Sequence, residues 1–291
     1  MNSGKNQSLK NKQYIFDEQC FSTDYRCITC MDEEIKVLAR QLVKKVDSKI
    51  RRELKAHFIT IGRTIDIGAD GTPTKLIDKL AEDVAIKTIK KSKTKINLLS
   101  EEAGFIDNDA EYTFVLDPVD GTRNATRGIP FFTVSLAVGR HSLSDVEYGI
   151  IKHVSTGDIY EAEAKMGAFY NKNHILVPDV SSQESVYSAT LGKRCEAKTH
   201  DMVKNAIVRS LGSASLEMCL VATGALDAYI VSREFLRVTD IAASTLFLRE
   251  AGGIVADISG ESLDMTLTLD ERTSVLAAGN RELIQQLTTQ G

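Results

Sequence analysis

No run of apolar residues in this 291-residue chain is long enough to cross a bilayer, and the first twenty residues lack the apolar core of a secretory signal. A membrane span and an export signal are therefore not expected, and the cytoplasm is the expected location. Positive charge is not in excess either: the formal net charge of −4 offers a polyanion no overall attraction, so neither nucleic acid nor a membrane is expected as partner. The five cysteines, at 20, 27, 30, 195 and 219, are odd in number and suggest a reduced compartment, not a disulfide framework. Tryptophan is absent and proline is limited to four residues. What remains, 43% hydrophobic and 26% charged, is the composition of a globular chain long enough for one large domain or two packed halves.

Cys27 and Cys30 in CITC, with Cys20 upstream, form half of a zinc pattern. The second pair is missing and no histidine lies at ligand spacing, so a zinc site is not expected. A helical pattern with acids in its first turn starts at Met31. Residues 1–30 read as a loose N-terminal extension, or as upstream sequence read through from a misplaced start. Residues 31–180 read as an N-terminal α+β half and residues 181–291 as a C-terminal α/β half.

Ile35, Val37, Leu38, Leu42, Val46 and Ile50 recur at helical spacing and predict an amphipathic helix over 32–57. GRTIDIGADGTPT, 62–74, is rich in Gly, Asp and Thr and reads as a turn or mobile loop. Helical spacing returns over 75–92, with Leu76, Leu80, Val84 and Ile89 on one face. Strands are expected at 96–100, 112–116 and 129–139, the last with antiparallel neighbours at 146–151, 158–163 and 168–170. Beyond residue 184, strand and helix patterns alternate. The five histidines, at 57, 141, 153, 174 and 200, are expected on the surface or in loops.

LDPVDGT, 116–122, ends an apolar strand with two acids that repel each other. Pro118 fixes its own φ and biases Asp117 toward an extended conformation, while Gly121 allows a sharp turn. Asp117 and Asp120 can then face one point, with the Val119 carbonyl between them, a set of hard oxygens that suits Mg²⁺. An Asp-Pro turn with Asp120 capping a helix would use the same residues without a metal. LLSEEAG ends another strand with Glu101 and Glu102, and RVTDIAAS places Asp240 at the start of a helix. Each alone reads as a strand-end acid or a helix cap; together they are the makings of a two-metal site for phosphoryl chemistry. Backbone N–H groups of Gly121 and Thr122 can add an anion nest.

LLSEEAG, LDPVDGTRNATRGIPFFTVSLAV and LRVTDIAASTLFLREAGG resemble the three signature blocks of the inositol monophosphatase family, in order and approximate spacing. The likeness covers about residues 35 to 290 and is strongest to archaeal dual-activity members acting on fructose 1,6-bisphosphate and inositol 1-phosphate. It implies an α/β (α+β) layered sandwich, the sugar phosphatase fold, with the active site between two halves. Two or three Mg²⁺ ions are implied, held by Glu101, Asp117, the Val119 carbonyl, Asp120 and Asp240, with Asp78 at a third, weaker position. Thr122, bonded to Asp78, and Glu101 are implied to orient the water that attacks phosphorus. The resemblance also implies lithium inhibition and a homodimer. Many family members carry an aromatic residue where this chain has Leu116 or Thr239.

On the same likeness, substrate contacts fall on Asp120, Gly121, Thr122, and on Gly212, Ser213 and Ala214 in RSLGSASLEMC. Arg233 stands where inositol-specific relatives have an acid for ring hydroxyls; with Arg237 it can pair a second phosphate, which favours fructose 1,6-bisphosphate. The plainer alternative for both arginines is a surface or interface charge. Two alternatives stand beside this reading: a phosphatase for adenosine 3′,5′-bisphosphate or NADP, and a catalytically silent sugar-phosphate sensor. The presence of both Glu101 and Thr122 argues against the sensor, since binding alone needs neither to activate water.

Overall fold

A computed structural model describes residues 31–69, 71–178, 184–192 and 195–290; the Cys20, Cys27 and Cys30 cluster lies outside them. Asp32 caps α1 (Glu33–His57) by accepting the Glu34 N–H at 2.9 Å. β1 (Thr64–Ile67) and β2 (Pro73–Lys75) follow as an antiparallel hairpin. The segment read as a loop is thus paired: its Gly, Asp and Thr mark the turn and hide the short strands beside it, and near the tip Ala69 donates to the Glu102 carbonyl at 3.1 Å. α2 (Leu76–Lys91) buries Ile77, Ala81, Ala85 and Ile89, one residue around from the expected stripe of Leu76, Leu80 and Val84, which flank it half-buried. The small Ala81 and Ala85 let α2 approach its neighbours closely.

β3 (Asn97–Ser100), β4 (Gly104–Ile106), β5 (Thr113–Asp120), then α3 (Thr122–Ala125), β6 (Thr133–Gly139), β7 (Tyr148–His153), β8 (Ile159–Glu163), β9 (Gly167–Tyr170) and β10 (Asn173–Ile175) complete the first half. Among the described residues the strands form an eight-stranded sheet ordered β10-β9-β8-β7-β6-β5-β3-β4, in which only β3 and β5 run parallel. The second half contains β11 (Val186–Ala189), α4 (Lys198–Val203), β12 (Ile207–Arg209), α5 (Ala214–Ala222), β13 (Ala228–Leu236), α6 (Val238–Glu250), β14 (Ile254–Ala256), β15 (Thr273–Ala278) and α7 (Arg281–Gln290). Its strands form a five-stranded sheet ordered β12-β11-β13-β15-β14.

Alternation along the strands builds the layers. On β5, Phe114 and Leu116 pack with α1 and α2, whereas Val115 faces α5 and α6. On β13, Tyr229 and Val231 face α5 and α6 from the other side, and Ala228 and Ile230 pack with α4 and α7. The fold is therefore an α/β sandwich of alternating helix and sheet layers, with α5 and α6 between the two sheets. No helix among the described residues is long and apolar enough to cross a membrane. His153, expected at the surface, is buried at the end of β7: its ring nitrogens lie 3.0 Å from the Pro130 carbonyl and 3.0 Å from the Thr156 hydroxyl, which satisfies both.

Candidate active site

Acids three apart in a regular strand point to opposite faces, yet β5 delivers Asp117 and Asp120 to the same one. Against β6, Asp117 pairs with Ser135 and Asp120 with Thr133, so three steps on one strand match two on the other. That bulge, at Pro118, turns both carboxylates toward the α5 and α6 layer. Gly121 then takes φ +92°, and a Cβ there would lie 3.0 Å from the Phe131 carbonyl oxygen. The turn needs glycine on both counts.

Parallel pairing of Ser100 with Leu116 brings Glu101, the residue just past the end of β3, beside Asp117. Asp240 arrives from the first turn of α6, where its Oδ2 accepts the Arg237 N–H at 2.8 Å. Oxygens of Glu101, Asp117 and Asp240 all lie within 4.8 Å of one another. At that spacing each pair of like charges costs about 3 kcal/mol at an effective dielectric of ~20. Burial pushes the Asp117 carboxyl well above the usual range, and the charges of Glu101, Asp120 and Asp240 push it further. The positive partner is Arg237, whose guanidinium pairs with Glu101 and, at 3.1 Å, with Asp240.

Asp120 lines the same cleft but is fastened elsewhere. Its Oδ2 accepts the hydroxyls of Ser213 at 2.7 Å and Ser215 at 2.5 Å and the Ser215 N–H at 2.8 Å. Of the expected substrate contacts, Ser213 and Ala214 are fastened to Asp120 at the start of α5, whereas Gly212 is held by Glu217. Burial raises the Asp120 carboxyl to about 6, with Asp240 adding to the rise and the serine bonds opposing it. Glu217, which the sequence did not single out, holds this turn from below: it accepts the N–H groups of Leu211, Gly212 and Ser213 at 3.0, 3.1 and 3.1 Å. Its one visible signal is an acid inside the otherwise apolar run of α5.

Asp78 and Thr122 meet as expected, 2.9 Å apart. The Thr122 hydroxyl is also 2.9 Å from the Val119 carbonyl, and with a single proton it donates to one of them at a time. Burial raises Asp78 to about 7, and the charge of Glu102 adds to the rise. The acids open onto a cleft of about 750 Å³. Lys75, Arg123, Arg237 and Arg272 line it, and Lys75 and Arg272 escaped the sequence reading. Arg233 stands exposed on β13 and is not among the lining residues.

The model of the inositol monophosphatase family matches residues 31–290. A fructose-1,6-bisphosphatase/inositol-1-monophosphatase of Methanothermobacter thermautotrophicus is 41% identical over 243 residues, 78% of this chain and 86% of that one. A bifunctional NADP phosphatase/NAD kinase of Methanococcus maripaludis is 39% identical over 74% of this chain, which spans 42% of that longer protein. Among solved structures, a Pyrococcus horikoshii protein with similarities to inositol-1 monophosphatase superposes with a TM-score of 0.77 at 33% identity, covering 89% of this chain and 98% of that one.

Proposed function

This chain belongs to the inositol monophosphatase family and is a phosphoric monoester hydrolase, and from that premise we propose that it is a Mg²⁺-dependent phosphatase of fructose 1,6-bisphosphate and inositol 1-phosphate. The observation that carries the reading is the convergence of Glu101, Asp117 and Asp240 within 4.8 Å at the head of the cleft. Their donor set fits a hard divalent ion: three carboxylates against the one guanidinium of Arg237 leave two negative charges to neutralise. Glu101, Asp117 and Asp240 would hold it, with Asp120 and the Val119 carbonyl available for a second ion and Asp78 for a third.

When bound, Mg²⁺ neutralises phosphoryl oxygens and makes a nearby water more acidic. The chain's own residues do the rest. Glu101 orients the attacking water, and Thr122 takes up its proton while passing its own hydrogen to the Asp78 carboxylate, in the state in which the hydroxyl donates to Asp78 and not to the Val119 carbonyl. Gly121, Gly212 and Ala214 frame the ester, and Lys75 and Arg123 supply positive charge to it. The water oxygen bonds phosphorus as the phosphorus–alkoxide bond breaks, and the leaving alkoxide takes a proton from solvent.

A panel of fructose 1,6-bisphosphate, inositol 1-phosphate, adenosine 3′,5′-bisphosphate and NADP, with Mg²⁺ and with chelator, tests the reading. Release from the two sugar esters, stopped by the chelator, is expected; binding without release would leave a sensor. The NADP phosphatase relative supports a second reading, and fast release from NADP alone would replace the first with it. The proposal extends to a cytoplasmic homodimer, in keeping with the family likeness.

A further inference from the structure

We propose that Arg272 is the specificity residue for substrates carrying a second anionic group, a role that rests on the phosphatase reading above. β13 and β15 end their pairing at Leu236 opposite Thr273, so Arg237 and Arg272 leave the sheet as neighbours, and both line the cleft. Their charges are used differently. Arg237 is committed to Glu101 and Asp240. Arg272 is half-buried and, among the described residues, is held by backbone, its Nη1 donating to the carbonyls of Leu269 at 2.5 Å and Glu271 at 2.9 Å. The acid beside it is turned away: Glu271 accepts the Thr266 hydroxyl at 2.5 Å and the Thr266 N–H at 3.2 Å.

Anchoring through one terminal nitrogen fixes the plane of the guanidinium and leaves Nη2 and Nε as a fork of donors, the geometry that grips a phosphate in two places. The group it reads is an anion remote from the scissile ester. The second phosphate of fructose 1,6-bisphosphate and the diphosphate bridge of NADP both qualify, and inositol 1-phosphate has no such group.

Arg272→Gln should raise KM for fructose 1,6-bisphosphate by roughly 10- to 100-fold, the loss expected for a charge-assisted pair, with kcat held within about threefold. KM for inositol 1-phosphate should stay within about twofold, and Arg272→Lys should recover part of the bisphosphate loss. Running NADP beside them separates a sugar bisphosphate from a dinucleotide as the ligand served, since only the one that binds productively will show the KM rise. Calorimetric binding of the same ligands reads the split without turnover. Equal losses on both sugar esters, or no change on the bisphosphate, would overturn the role of Arg272 alone. Phosphate release from no ester by the unmutated protein would instead overturn the phosphatase reading beneath it.

Discussion

Asp117→Asn should cut turnover by more than about 100-fold, because the ion it helps to hold contributes several kcal/mol of charge stabilisation and each 1.36 kcal/mol is tenfold in rate. The same substitution should make the metal-free protein more stable. Asp117 is 3% exposed and shares its space with Glu101 and Asp240, so its ionised form is unfavourable in the fold. The sign follows from its raised pKa: an acid that holds its proton more tightly folded than unfolded costs stability as pH climbs above its ordinary 3.8. Asparagine removes that cost, so in chelator the variant should melt higher than the parent at pH 8, with the gap closing toward pH 4. Melting curves in chelator and initial rates in Mg²⁺ check both halves. A variant with rates within threefold of the parent would remove Asp117 from the site.

Thr122→Val should lower kcat by about 100-fold with little change in KM, the low end of what a positioned proton relay contributes. Valine keeps the volume of threonine and deletes only the hydroxyl that lies between Asp78 and the Val119 carbonyl. A pH profile gives the second readout. Burial and then the charge of Glu102 raise Asp78 to about 7, and it must be ionised to accept the Thr122 hydrogen, so at a Mg²⁺ level that leaves the third position empty log kcat should rise through about pH 7 and then level. Thr122→Val should flatten that limb, because the link between Asp78 and the water is gone. Folding stability runs the other way: Asp78 should cost the fold progressively more between its ordinary 3.8 and about 7, and no more beyond. An unchanged profile in Thr122→Val would detach Asp78 and Thr122 from the chemistry.

Much of this arrangement was written locally in the chain. The caps and apolar periods of α1 and α2 are short-range properties, and both helices begin and end within a residue of their expected bounds. The three acidic sites were legible because Glu101 and Asp117 close apolar strand patterns and Asp240 opens an apolar helix pattern. The role of Arg237 was not: it was read as a partner for a second phosphate, whereas its guanidinium is spent on Asp240 and on Glu101, 136 positions away. Asp120 was read as facing the same point as Asp117; the bulge does turn it to that face, but the Ser213 and Ser215 bonds that hold it come from the other half of the chain. Arg272 lay hidden for a similar reason. Its place in the cleft follows from the pairing of β15 with β13, and β15 itself, TSVLAA, has too many small residues to announce a strand.

Binding of Mn²⁺, followed by the loss of the free ion's paramagnetic resonance signal during titration, asks most directly whether these carboxylates hold a divalent cation. Saturable binding by the unmutated protein, weakened at least ~10-fold in Asp117→Asn, is the expected result. Equal binding by the two proteins, or none by either, would contradict it.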